Sequence, residues 1–223
     1  MVCPVGIDIA YLIRKVKEGL AAAGFVPVDL QTAGERALEF GSPMGLTTKS
    51  LRNAIASLEK EEGISIPVDV EGAEYLCMLS SAEVVLYSEF ITAISKIFSA
   101  AGVSWTLSSK YFEATNTGVQ MGDSTIAAEL LERYVAVATE LKVKTVISPE
   151  CGHAYTTIRW DGPNILGRAL PFKVVHIMEL LEQLRAEGRL KTTCCFDEHL
   201  TYHDPCNISR RGGVLEQPRK LLN

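Results

Sequence analysis

Two cysteines stand where redox or metal chemistry is commonly placed. Cys151 follows the apolar run of KTVISPE and opens the turn CGHAY, and Cys206 follows LTYHDP and opens CNISRR. Both are expected just past the carboxyl end of a strand, the edge at which open α/β sheets bind ligands. Both are also expected near the start of a helix, where free N–H groups and the helix dipole favour a thiolate. A thiolate is the form that holds iron or attacks a disulfide. The alternative is plain packing, because cysteine is among the most often buried residues. Cys77, in the middle of YLCML, is assigned to the core on that ground. The adjacent Cys194 and Cys195 precede Phe-Asp-Glu in an expected surface loop, and the two readings stay open for them.

The chain has four histidines. His153 and His203 each lie within three residues of a turn cysteine, so a zinc site built from these Cys and His residues is an alternative. The absence of a C-x-x-C pair speaks against it. His176 falls in the helical pattern PFKVVHIMELL and reads as a partly buried structural residue, and His199 reads as an exposed loop residue. The glycines fit neither a phosphate loop nor a dinucleotide fingerprint, and there is no G-x-S-x-G element.

The elements that would position these residues come from apolar spacing. Helices are expected over residues 5–23, from Thr47 to Glu62, Ser81–Ala101, Asp123–Lys142 and Phe172–Glu187. Strands are expected at Tyr75–Leu79, Val103–Leu107, Val143–Ser148 and Leu200–His203. Residues 25–46, rich in Pro, Gly and Thr, read as a connector draped over a partner. Alternating strands and helices beyond Gly63 indicate an α/β layer fold with a parallel sheet and flanking helices, preceded by a helical N-terminal segment.

The 223 residues are 47% hydrophobic and 22% charged, enough to build a core without disulfide staples. A net charge of −5 with scattered basic residues excludes a nucleic-acid stripe. No apolar run approaches the roughly 20 residues a membrane span needs. Asp8 inside the first apolar stretch and the positive charges after it are the wrong order for a signal peptide, so a cytoplasmic location is expected. The six cysteines are then expected as reduced thiols or metal ligands rather than disulfides.

Several strings go further. VEGAEYL, SSAE, IFSAAGVSWTLSS, ATNTG, ECGHAY, PFKVVHIMELL, and above all TYHDPCNISRRGG with EQPRKLL resemble the CCG-domain (cysteine-rich) iron–sulfur proteins related to the catalytic subunits of heterodisulfide reductase. The resemblance runs from Val68 to Lys220. It is strongest to the subgroup in membrane-associated redox complexes of sulfate-reducing and sulfur-metabolising microbes, including the component partnered with dissimilatory sulfite reductase.

That family implies two related α/β modules whose cysteines surround an iron–sulfur centre of the 4Fe-4S type. Carried over by position, Cys206 matches the single cysteine opening the second module, and Cys151 a cysteine closing the first. The first Cys-Cys-Gly is replaced around Ala114–Gly118, which contains no thiol, so the first module is expected to be degenerate. Cys194 and Cys195 precede Cys206 and lack the glycine, so they do not match the second Cys-Cys-Gly. Cys3-Pro4 resembles the end of a ferredoxin-type binding run, with Cys3 its last ligand.

The resemblance divides the chain into a helical segment at 1–66 following a truncated ferredoxin-like region, a first module at 67–190, and the truncated start of a second at 191–223. The chain is then expected to be a fragment of a longer protein. His203, Asp204 and His153 are expected beside the cluster ligands, orienting the loops or passing protons. The implied role is electron transfer within a membrane-associated complex, peripheral through partner subunits. The implied partners are other redox subunits, small electron carriers or a thiol/disulfide protein. The rival expectations are a cluster-free docking module and a zinc or thiol protein.

Overall fold

The computed structural model describes residues 4–148, 150–191 and 197–222. At the amino end lie α1 (Ile9–Ala22), α2 (Val28–Phe40) and α3 (Thr48–Glu62). A four-stranded parallel sheet follows, of β1 (Tyr75–Cys77), β2 (Trp105–Thr106), β3 (Thr145–Ser148) and β4 (Lys173–His176), in the order β2-β1-β3-β4. The expected α/β class is the observed one. Between β1 and β2 run α4 (Ser81–Val85) and α5 (Glu89–Ala100), and between β2 and β3 run α6 (Thr117–Met121) and α7 (Ser124–Glu140). The β3–β4 crossover holds α8 (Gly152–Thr156), a π-helical turn (Thr157–Asp161) and α9 (Gly162–Leu166). The chain then passes through α10 (Ile177–Ala186), a second π-helical turn (Cys206–Arg211) and α11 (Glu216–Leu222).

Strand alternation divides the core into two layers. Tyr75, Cys77 and Leu79 face Leu51, Phe98 and Leu180 on one side of the sheet. Leu76 and Met78 face Leu131, Tyr134 and Tyr155 on the other, where Val214 also packs. From β1 the chain moves to one edge of the sheet and from β3 to the other. The carboxyl ends of β1 and β3 therefore form the crevice of a topological switch point, where such sheets bind ligands.

The structure departs from expectation at several elements. Residues 28–40 of the supposed connector are helix α2. Its buried positions are the small residues Gly34 and Ala37, which produce little hydrophobic periodicity. Arg133 finishes this helix by donating to the carbonyls of Ala37 and Leu38 at 3.0 and 2.7 Å. The single helix expected over Ser81–Ala101 is broken at Leu86–Ser88, where the Tyr87 N–H reaches back five residues to Ala82.

The helix expected from Phe172 begins only at Ile177. The β-branched Val174 and Val175 belong to β4, and His176 caps α10 in a reciprocal arrangement with Glu179. Residues 200–203 form no strand and instead lead into the second π-helical turn.

Helix α1 is amphipathic as its spacing predicts, but it is turned outward. Ile9, Leu12, Ile13, Val16 and Leu20 are between 41 and 62% exposed. Arg14 instead reaches inward to Asp161 at 2.8 Å, and the backbone at Lys17 lies where a Cβ on Gly122 would sit, 2.9 Å away. No helix among the described residues is long and apolar enough to cross a membrane.

Candidate functional site: two cysteine turns at the sheet edge

Ser148 ends β3, and Cys151 caps α8 immediately beyond it. Cys206 opens the second π-helical turn after Pro205, which has extended backbone. The two turns touch. A Cβ on Gly152 would lie 2.7 Å from Ile208 Cγ1 and 3.0 Å from both Asn207 Cβ and the Ile208 nitrogen. Only glycine permits this approach, because real Cβ atoms essentially never come within 3.0 Å of a neighbour. The structure thus brings the two sequence-predicted turns together.

The two thiols differ in setting. Cys206 is exposed and Cys151 half-buried. Burial pushes the Cys151 thiol up, and the backbone N–H groups of Ala154 and His153 offset only part of that rise. Desolvation, not the helix end, therefore dominates at Cys151, contrary to the thiolate-favouring expectation. Cys77 is fully buried in the core, as its position in YLCML predicts, and burial drives its thiol far up. Cys3, Cys194 and Cys195 lie outside the described residues.

His153 lines a cleft together with Cys206. Burial lowers its pKa, with Lys17 and Arg14 adding to the effect, so the ring is neutral at pH 7; its Nε2 lies 3.4 Å from the Asn116 carbonyl. Asp204 is gripped by Arg219 through two contacts of 2.9 and 2.8 Å, which hold its carboxyl below the usual range. This pair ties the segment before Cys206 to α11. His203 is exposed. His176 is buried, and its Nδ1 accepts from the Met178 N–H at 3.3 Å, a capping role rather than the mid-helix one expected.

Sequence reasoning missed two buried carboxylates in the switch-point crevice, Glu83 and Glu113, each 1% exposed. The Glu113 carboxylate accepts from the Ser81 N–H at 2.9 Å, from the Ser81 hydroxyl, and from the Thr115 N–H at 2.8 Å. Tyr134 donates to the Glu113 carbonyl at 2.5 Å, and Ser42 bonds Ser81 at 2.6 Å. Burial raises the Glu113 pKa. Glu83 and Ser80 form a capping box on α4, with one Glu83 oxygen taken by the Ser80 N–H. Among the described residues its other oxygen, Oε1, is buried without a partner. Burial pushes Glu83 up to about 7, the nearby Glu150 and Glu113 carboxylates adding and the Ser80 hydrogen bonds opposing. The S-x-x-E spacing of Ser80–Glu83 was a legible signal for the cap, though not for its burial.

The residues around Ala114–Gly118, which stand in place of a Cys-Cys-Gly, form a hydrogen-bonded helix start. Asn116 accepts from the Val119 N–H at 3.1 Å and donates to the Ala127 carbonyl at 3.0 Å, closing α6 onto α7. Among the described residues no group of three or more His, Cys, Asp or Glu is arranged to hold a metal ion. The two turns offer two thiols, and a cubane cluster takes about four thiolates, so these residues alone do not complete such a set.

No family model and no solved structure matches the chain. Curated proteins do. The chain is 32% identical over 135 residues to a subunit of the dihydromethanophenazine:CoB–CoM heterodisulfide reductase of Methanosarcina acetivorans, covering 59% of this chain and 33% of that protein. The corresponding protein of Methanosarcina barkeri is 23% identical over 227 positions, covering 100% and 53%. The Hdr-like menaquinol oxidoreductase iron–sulfur subunit of Archaeoglobus profundus is 24% identical over 266 positions, covering 99% and 47%. The chain is thus homologous, at low identity, to a heterodisulfide reductase subunit and to Hdr-like iron–sulfur oxidoreductase subunits, and it spans from a third to about half of these relatives' length.

Proposed function

We propose that this chain is an iron–sulfur electron-transfer part of a heterodisulfide-reductase-like complex, acting on a thiol/disulfide or sulfur-linked acceptor, with Cys206 and Cys151 as cluster ligands. The remaining ligands come from outside the two turns; Cys3, as the last ligand of a ferredoxin-type run, belongs to a separate cluster. The observation that carries this reading is the contact of the two cysteine turns at the carboxyl edge of the parallel sheet, kept by Gly152 against Ile208. The names of the relatives support an iron–sulfur redox role and membrane association through partner subunits. The resemblance to the sulfite-reductase-associated subgroup and the assignment of a 4Fe-4S type rest on TYHDPCNISRRGG, EQPRKLL and the strings that accompany them. In this reading His153, kept neutral by burial, orients the Cys151 turn, Asp204 with Arg219 fixes the approach to Cys206, and exposed His203 is the residue free to exchange protons with solvent.

Electron paramagnetic resonance of the anaerobically reconstituted, dithionite-reduced chain tests the ligand assignment. A paramagnetic cluster signal is expected. Cys151→Ala and Cys206→Ala should each abolish it or change its shape, and Cys77→Ala should leave it unaltered. A signal indifferent to both turn cysteines would remove them as ligands.

A second reading, a cluster-free module that docks neighbouring proteins of such a complex, draws on the outward apolar face of α1. It predicts no paramagnetic signal in any variant and retained binding to those partners.

A further inference from the structure

A cleft of about 890 Å3 lies between α1 and the Cys206–Arg211 turn, within the size range of small-molecule sites. Its charged lining is unbalanced. Among the described residues, Arg14, Lys17, Arg210 and Arg211 face into it against Asp8 and Asp161, in a chain whose net charge is −5. Asp8 caps α1 by accepting from the Tyr11 N–H at 3.0 Å. Asp161 Oδ1 takes Arg14 at 2.8 Å, while its Oδ2 lies 3.8 Å from Arg211 and is buried without a hydrogen-bond partner among the described residues. Among the described residues Lys17 and Arg210 form no ion pair.

Lys17 is the informative residue. It is half-buried, and desolvation, helped by neighbouring Arg14, pushes its pKa down. The neighbouring Glu18 offsets part of this, but a partly desolvated ammonium without an ion pair is costly unless an anion shares its site. The orientation of α1 adds an independent argument. An amphipathic helix on a globular domain ordinarily turns its apolar stripe inward. Here the helix presents Arg14 and Lys17 to the cleft beside Ala10 and Ile13, and leaves Leu12, Val16 and Leu20 in solvent. The cleft's positive character comes from these four Lys and Arg side chains.

We propose that this cleft binds a small organic anion through phosphate or carboxylate groups, seated on Lys17, Arg210 and Arg211 with its body against the exposed Cys206 thiol. Arginine matches such groups through two parallel N–H donors, and lysine supplies a point charge beside them. The inference concerns the chain before iron is added, when the Cys206 thiol is free.

Calorimetric titration of the purified chain with inorganic pyrophosphate and, separately, with citrate at low ionic strength tests it. Saturable binding by at least one is expected, which also tells phosphate from carboxylate preference. Lys17→Ala combined with Arg210→Ala should weaken binding by about tenfold or more, while Lys96→Ala, which lies outside the cleft lining and is paired with Glu62, should not. Alkylation of the Cys206 peptide, followed by mass spectrometry, gives a second reading: the bound anion should slow it in the wild type and not in the double variant. No saturable binding of either probe at millimolar concentration, or equal binding by the double variant, would overturn the proposal. Protection of Cys206 only by an acidic protein, with neither small anion binding, would equally overturn it in favour of a protein interface.

Discussion

Replacing Glu83 with Gln is expected to raise the stability of the protein by about 3 kcal/mol at pH 8 and to leave it almost unchanged at pH 4. The direction follows from a folded-state pKa near 7 against an ordinary value of 4.5. Below 4.5 the carboxyl is protonated whether the chain is folded or not, and the buried acid adds no penalty. As pH rises toward 7, the unfolded chain releases the proton while the folded one retains it, so stability falls. Above 7 the full penalty applies.

Gln keeps the acceptor for the Ser80 N–H and cannot ionise. The gain should therefore appear only as pH rises through the window from 4.5 to 7. Urea denaturation across that range, with wild type and variant compared at each pH, measures it. A change independent of pH would show that Glu83 titrates alike in the folded and unfolded chain, and a loss growing with pH would show that it is charged in the fold and held by a partner at Oε1. Glu113 also has a raised pKa, but its carboxylate accepts three hydrogen bonds, so its replacement by Gln would break a network as well as remove a charge.

Gly152→Val is the second change with a large expected effect, and its consequences reach both stability and cluster binding. The added Cβ would press on Ile208 and Asn207, and the branched side chain has no free volume between the turns. Overpacking of this kind costs about 1–3 kcal/mol. Because the strain falls between Cys151 and Cys206, it should also lower iron incorporation more than an equally destabilising change elsewhere in the core. A double-mutant cycle with Ile208→Ala separates the two effects. Removing Ile208 Cγ1 relieves the nearest of the three contacts, so the double variant should recover part of the lost stability and iron. Full iron incorporation in Gly152→Val would show that the two turns need not touch for a cluster to form.

The parallel sheet was legible because the apolar runs around Tyr75–Leu79 and Val143–Ser148 are too short for helices and are bounded by turn residues. Cys77 was legible as core for the same reason. Helix α2 was not, because it packs through Gly34 and Ala37, and small residues carry almost no periodic hydrophobic signal. Periodicity also located the stripe on α1 without telling which way it faces. A stripe records that a surface is apolar, and whether the domain or a partner covers it depends on the polar face, here drawn inward by Asp161.

The two cysteine turns were found from their position after apolar runs, yet their contact depends on Gly152, which in sequence is one glycine among 17. Glu83 and Glu113 were invisible because acidic residues at a helix start and after a short strand are ordinarily solvated. Their burial follows from the packing of α4, the segment after β2 and the turn at Ser42 over one crevice, a product of topology that no local pattern encodes.

Iron and acid-labile sulfide per chain, measured after strictly anaerobic expression and reconstitution beside a Cys206→Ala control, test the central claim most directly. About four of each in the wild type, lost in the control, is the expected result for one cubane-type centre. It would mean that thiols outside the described residues complete the set begun by the two turns. Little or no iron in either protein would contradict the account and leave the cysteine turns as part of a docking module.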